Sequence, residues 1–320
     1  MIANLDLKDK KILAELEMNA RIPHSELAKK VRLSKQVVKY RVENLEKQDI
    51  IQGYNAVVDV NKLGDTIYLI YLKLINLSSQ KEVSWIKEID KNPSVIAVGK
   101  NAGHWDLSIA IRCKNNHELD QILKKIISGK SDKIKEKLVT SEIESSYFNL
   151  NILVKSEIME KSTSNIQEAL PLDEDDQKLV KFLANNCRTS LIDLAEKLNM
   201  SPNGVKDKIR RLEKQGIIIG YKTKINYEKL GYLHFRVFIH LNNFSNVLYK
   251  KIKILLKTKG NVESVSRYLG YADVDFRCYS KDIAELYKLI SDIKDNFLGE
   301  IIEVDSMPIF RWEKINYYPK

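Results

Sequence analysis

Residues 34–54, SKQVVKYRVENLEKQDIIQGY, decide the fold, and they occur twice: residues 201–221 read SPNGVKDKIRRLEKQGIIIGY. A serine ahead of a helix-forming run is an N-cap signal, because its hydroxyl accepts from a first-turn N–H that has no partner in the helix. Val38, Val42 and Leu45 then recur at helical spacing, which predicts a helix over 35–48 with one apolar face. Upstream, Pro23 suits the first turn of another helix, with Leu27, Ala28 and Val31 inward. Only Arg32-Leu33-Ser34 separate the two, the tight angle of a helix-turn-helix. Ile12, Leu13 and Leu16 space a helix before them, and 50–54 with 56–60 read as the hairpin of a wing.

Working outward, a shift of 167 aligns the two halves. Of the 60 positions from 5 to 64, 24 are identical to their shifted partners without a gap, and Gly103 and Asp106 still fall on Gly270 and Asp273. A period this long marks a duplicated module, not a solenoid. The second copy places helices over 176–184, 191–198 and 201–215 and a wing over 217–227. The rest of each copy alternates between strand and helix patterns. The first gives strand 66–77, helix 81–91, strands 95–100 and 106–113, helix 118–127 and strand 137–148. The second gives 233–241, 248–257, 262–268, 273–278, 283–293 and 301–310. The order β-α-β-β-α-β is ferredoxin-like. The fold class is therefore α+β: a tandem duplication of a winged helix-turn-helix plus a ferredoxin-like βαββαβ domain. The expected boundaries are 1–60 and 61–154 for the first copy and 172–227 and 228–320 for the second. Residues 155–171, polar and ending in Pro171, are expected to be a linker.

Composition narrows the function. With 44% apolar and 30% charged residues the chain is globular, and a net charge of +10 favours an anionic partner, nucleic acid first. Cys113, Cys187 and Cys278 lie too far apart for a disulfide framework or zinc site, so a reduced, cytoplasmic setting is expected. The opening residues mix acids with bases and do not read as a signal peptide. The longest apolar stretch, 66–77, is interrupted by Lys73 and is too short for a bilayer, so no membrane partner is expected.

In a helix-turn-helix the outward residues near the start of the second helix meet bases and phosphates. Here they are Lys35, Gln36, Lys39, Tyr40 and Arg41. Glutamine can read adenine and lysine guanine or phosphate, so double-stranded DNA is the expected partner. The second copy offers Asn203, Lys206, Lys208 and Arg210, but Gly204 weakens its helix. Asp207 replaces Tyr40 and either repels phosphate or accepts from cytosine. A winged helix kept only for protein contacts is the alternative. An RNA-binding sheet would need stacking aromatics, and strands 95–100 and 262–268 supply one, Tyr268. His24, His104, His117, His234 and His240 show no metal spacing, and no nucleophile elbow or phosphate loop is present; no catalytic residue, metal or cofactor is expected.

Several pieces together resemble the Lrp/AsnC, or feast/famine, regulators. They are Leu5-Asp6-x-x-Asp9-x-x-Ile12-Leu13, Asn19-x-Arg21, Glu26-Leu27-Ala28, Ser34-x-x-x-Val38, Leu45-Glu46-x-x-x-Ile50-Ile51-x-Gly53-Tyr54, Leu63-Gly64 and Gly103-His104-Trp105-Asp106. The resemblance covers nearly the whole chain, twice. It implies a DNA-binding transcriptional regulator whose ferredoxin-like domain dimerises through its sheet and senses a small effector, usually an amino acid. On that resemblance Gly103, His104, Trp105 and Asp106, with Gly270, Tyr271 and Asp273, are the effector-site residues. Glycine there permits a tight turn, and the aspartate can cap backbone N–H groups or accept an ammonium. Family members usually carry one copy per chain. Two copies imply an internal pseudo-dimer, with further homo-oligomerisation on other surfaces, and Lys208 departs from the arginine matched by Arg41. The sheet face bearing Ile67, Leu69 and Tyr71 needs cover, whereas His234, Arg236, Phe238 and His240 do not match it. Siroheme decarboxylases look like the same units, sometimes fused in tandem, with a histidine- and arginine-rich strand segment. The equivalent segments here, 97–105 and 265–272, hold His104 and Arg267 and lack that signature.

Overall fold

The computed structural model describes residues 2–163, 169–315 and 318. The first copy runs α1 (Leu7–Met18), α2 (His24–Val31), α3 (Lys35–Lys47), β1 (Ile51–Val58), β2 (Thr66–Leu74), α4 (Ser79–Asp90), β3 (Val95–Asn101), β4 (Leu107–Cys113), α5 (Asn116–Ile127) and β5 (Ile134–Phe148). After β6 (Glu160–Ser162), the second runs α6 (Glu174–Asn185), α7 (Leu191–Leu198), α8 (Pro202–Lys214), β7 (Ile218–Ile225), β8 (Leu233–Leu241), α9 (Asn246–Thr258), β9 (Val262–Leu269), β10 (Val274–Ser280), α10 (Ile283–Asn296) and β11 (Ile301–Ile315).

The repeated residues start and stop the head helices. Asp6 and Asp173 cap α1 and α6, accepting from Asp9 N at 2.8 Å and Asp176 N at 2.7 Å. Ser34 and Ser201 cap α3 and α8, accepting from Val37 N at 3.2 Å and Gly204 N at 3.1 Å. Between the paired helices the chain turns through left-handed Arg32 and Asn199.

The wing differs from the expected hairpin. Residues 51–58 form one uninterrupted strand, and β1 pairs antiparallel with β7 of the other copy, Ala56 opposite Tyr221 and Asn55 opposite Lys222. Residues 50–60 contain no two-residue turn signal, so their alternation is satisfied by a partner strand from elsewhere in the chain. The two heads thereby share one core, in which Leu13, Val38 and Leu45 join Leu183, Val205 and Leu212.

The two sheets have the orders β5-β2-β4-β3 and β11-β8-β10-β9. Their edges meet: β3 pairs with β11 and β5 with β9, both antiparallel. Eight strands therefore close into a ring, with no edge left in the ring itself. Outside it, α4 and α5 cover the first sheet and α9 and α10 the second. Inside, Leu69, Tyr71, Ile96 and Ala110 meet Phe238 and Met307, so each copy covers the other's inner face. The second copy's inner face also buries charge. His234 and Arg236 share that face with Phe238 at every second position of β8, and Arg236 Nε donates to Asp275 Oδ2 at 2.8 Å.

Part of the expected linker is built into the fold. β6 pairs with β5, Ser162 opposite Ser146, and Lys161 Nζ donates to Met18 O and Tyr221 O, both at 3.0 Å. The Lys161 side chain lies across Gly220, where a β-carbon would meet it at 2.5 Å. A three-residue strand, Glu-Lys-Ser, has no apolar pattern by which to recognise it. Residues 164–168 of that stretch lie outside the described residues.

Candidate nucleic-acid interface

On α3, Lys35, Gln36, Lys39 and Tyr40 project from the head, and Tyr40 is 70% exposed. Their backbone is rigid because Val38, Val42 and Leu45 anchor the opposite face. On α8, Asn203, Lys206 and Arg210 are exposed over Val205, Ile209 and Leu212. Asp207 is exposed too and stands 3.8 Å from Arg210, softening the positive charge of this face.

Arg41 and Lys208 turn inward instead. Arg41 Nη1 donates to Asp6 Oδ2 at 2.7 Å and to Asp9 Oδ1 at 2.8 Å. Lys208 Nζ donates to Asp173 Oδ2 at 2.7 Å and to Asp176 Oδ1 at 3.0 Å, and Arg211 joins it on Asp176. Both residues strap the recognition helix to the capped start of the first helix. Hydrogen bonds to Asp9 and Asp6 raise the Arg41 pKa further, and those to Asp173 and Asp176 outweigh burial to raise that of Lys208. The lysine that departs from the first copy's arginine does the same work on the two equivalent carboxylates of its own copy.

The heads are fixed to each other by reciprocal contacts. Arg21 Nη1 donates to Cys187 O at 2.7 Å and its guanidinium lies 5.5 Å from the Tyr221 ring. Arg188 Nη1 donates to Ala20 O at 2.8 Å and lies 5.1 Å from the Tyr54 ring. Each tyrosine donates to its own copy's glutamate, Tyr54 to Glu46 and Tyr221 to Glu213, both at 2.6 Å. These arginines and tyrosines belong to the repeated motif, but nothing in one copy alone shows that they join heads. Recurrence at both ends of the 167-residue offset was the available signal.

The two Gly-x-x-Asp turns sit at the seams of the ring. Gly103 and Gly270 have φ of 97° and 119°, and a β-carbon on Gly270 would meet Val139 O of β5 at 2.8 Å. Asp106 accepts from Leu74 N and Asp273 from Leu241 N, both at 2.7 Å, so each aspartate ties its turn to the neighbouring strand. Trp105 is buried in the ring beside Tyr71. His104 is exposed and 3.0 Å from Glu136, whereas Tyr271 donates to Asp305 at 3.1 Å. The seven expected effector residues thus gather as two groups, one at each seam, with unlike side chains.

Two recognition helices presented from one shared core define a tandem winged helix-turn-helix protein. A family model described as winged helix-turn-helix DNA-binding matches residues 5–52 and 172–219. An HTH-type transcriptional regulator of Pyrococcus furiosus is 36% identical over 124 residues, 38% of this chain and 80% of that one. The chain belongs to the HTH-type transcriptional regulators. The structure of E. coli AsnC covers 43% of this chain and 92% of its own at 26% identity, with a TM-score of 0.37. The siroheme decarboxylase NirDL covers 98% of this chain and 94% of its own at 14% identity, with a TM-score of 0.63, a likeness of fold alone. Among the described residues no helix is long and apolar enough to cross a membrane.

Proposed function

We propose that the chain reads double-stranded DNA with both heads at once and regulates transcription without catalysing a reaction. The observation that carries this reading is the rigid pairing of two exposed, basic recognition-helix faces through β1–β7 and the Arg21/Arg188 seam. Lys35, Gln36, Lys39 and Tyr40 supply register and sequence choice in one head; Asn203, Lys206 and Arg210 supply mostly phosphate contacts in the other. Arg41 and Lys208 act by holding the helices. Unequal heads suit an asymmetric operator. A small effector such as an amino acid binds at the seam turns, Gly103 to Asp106 and Gly270 to Asp273, and further assembly uses surfaces outside the closed ring. An enzymatic reading of the same architecture finds less support, since Arg267 is 3.5 Å from Glu144 and His104 is taken by Glu136.

Selection of bound sequences from random duplex DNA, followed by a salt titration, tests the proposal. If each head neutralises about three phosphates, log K against log salt falls with a slope near −5. No binding at roughly 50 mM salt, or a flat slope, overturns it. A tetrapyrrole copurifying with the protein moves the reading to the enzyme.

A further inference from the structure

A cavity of about 430 Å³ lies between the head ribbon and the second ferredoxin-like domain, within the range of small-molecule sites. Its roof includes Lys222 and Lys224 of β7 and Asn55 of β1, so both copies contribute. Its floor is made by His234 of β8, Glu263 of β9, and Arg277 and Tyr279 of β10.

The floor is charged and deep. His234 is 5% exposed and Glu263 8%. Lys222 Nζ donates to Glu263 Oε1 at 2.6 Å, with His234 3.4 Å and Arg277 3.8 Å from the other carboxylate oxygen. Burial opposes ionisation of Glu263, but Arg277 and Lys222 win and hold it well below the usual carboxylate range. Lys224 has no carboxylate within ion-pair distance among the described residues. Burial holds its pKa below that of a free lysine, opposed only by the field of Asp49. Asp49 is itself paired with Lys229 at 3.1 Å. Of the other acids lining the cavity, Glu228 sits exposed and Glu263 is shared among three groups. The Tyr279 ring, stacked on His234 at 4.3 Å and 7°, gives the cavity a flat wall.

None of this belongs to the module as such. Where the second copy has Lys222, Lys224, His234, Glu263 and Arg277, the same repeat positions in the first hold Asn55, Val57, Ile67, Ile96 and Ala110. The architecture folds with either set, and buried charges cost stability, so the charged set implies a use other than folding.

We propose that this cavity binds a small organic anion, with Lys224 and Arg277 meeting its acidic oxygens and the Tyr279–His234 face packing against its carbon skeleton. The site is separate from the seam turns and goes beyond DNA reading. A ligand there bridges the head ribbon and the second domain, so it ties head placement to ligand binding in one half only.

The test uses the full chain without DNA, so failure of DNA reading leaves it untouched. Citrate, 2-oxoglutarate, L-glutamate and inorganic phosphate are titrated separately by calorimetry to roughly 10 mM, a range that captures millimolar affinity. The expected result is one equivalent of at least one organic acid per chain, with a raised melting temperature. Lys224→Met, which removes charge but keeps length and breaks no ion pair, weakens binding about tenfold, the loss of one charge-assisted contact. Arg277→Met does the same if it folds, and Lys251→Met on the exposed face of α9 leaves binding unchanged. Binding of none of the organic acids, undiminished binding by Lys224→Met, or two equivalents per chain overturns the proposal. Phosphate binding as tightly as the best organic acid overturns the assignment of an organic ligand.

Discussion

Leu69 and Arg236 occupy the same place in the two copies, as do Ser108 and Asp275. In the first copy Leu69 joins Tyr71, Ile96 and Ala110 in an apolar lining. In the second, Arg236 is 4% exposed, donates to Asp275 at 2.8 Å and to Tyr268 OH at 3.3 Å, and Tyr268 donates on to Glu142 at 2.8 Å. The outer helices occupy the same places over the two linings, with Ser78 and Ser245 capping α4 and α9, although those two helices share no residue at the 167-residue offset. In the heads, identity concentrates at positions that hold elements together, such as the capping residues and the Arg21/Arg188 pair, whereas the inside of the ring, the cavity roof and the recognition helix diverge.

The sharpest way to break this comparison is to exchange linings. Arg236→Leu alone leaves the Asp275 carboxylate buried without its partner and should cost about 3–5 kcal/mol in denaturant unfolding. Adding Asp275→Ser installs the first copy's pair and should recover most of that loss. A double variant as weak as the single one shows that the linings are not exchangeable.

A second difference is Glu17, which corresponds to Ala184. It is buried where the heads meet, accepting from Tyr227 OH at 2.8 Å and from Leu150 N at 3.2 Å, and burial pushes its pKa up to about 7. Because the folded value lies above the unfolded one, its contribution is full below about pH 4.5 and is lost as pH rises through about 7, on the order of 3 kcal/mol. Glu17→Gln removes that slope, so the variant should lose less unfolding free energy than the wild type between pH 5 and pH 8. Parallel pH profiles would show that the Glu17 proton is not coupled to folding.

The heads give smaller effects. Lys39→Ala with Tyr40→Ala should weaken operator binding about tenfold or more, whereas Lys206→Ala with Asp207→Ala should weaken it less, because a repelling carboxylate leaves with the lysine. Equal losses in band-shift assays would refute the asymmetry. Smallest of all, Gly204→Ala should stabilise α8 by less than about 1 kcal/mol, since the new β-carbon sits 3.3 Å from the capping Ser201 hydroxyl. A loss of melting temperature would show that this contact outweighs the helix gain.

Much of this was legible because it is local. Ser34, Ser201, Asp6 and Asp173 announce helix starts by hydrogen bonds within three residues, and the alternation of Ile67, Leu69 and Tyr71 marks a face that needs covering. What stayed hidden depends on residues far apart in sequence. Residues 50–60 alternate equally well in a hairpin or in a strand paired across copies, and only the fold shows β7 beside β1. Arg41 looks like a phosphate contact until the Asp6–Asp9 cap is seen beneath it. The cavity escapes sequence reading altogether, because Lys224, His234, Glu263 and Arg277 come from four strands and meet only when the head ribbon settles on the second domain.

The closed ring also sets a timetable for synthesis. Asn101 pairs with Ile309 and Ser146 with Val265. The first of these pairs is separated by roughly 200 residues, about 10–40 s of translation at ~5–20 residues per second. Until those partner strands are made, β3 and β5 of the newly made first copy are bare edges, β5 for the shorter time, open to the same copy on a neighbouring ribosome. Slower translation of the second half should therefore raise the yield of chains joined to one another through their first copies, so codon choice downstream of residue 150 bears on how the protein assembles.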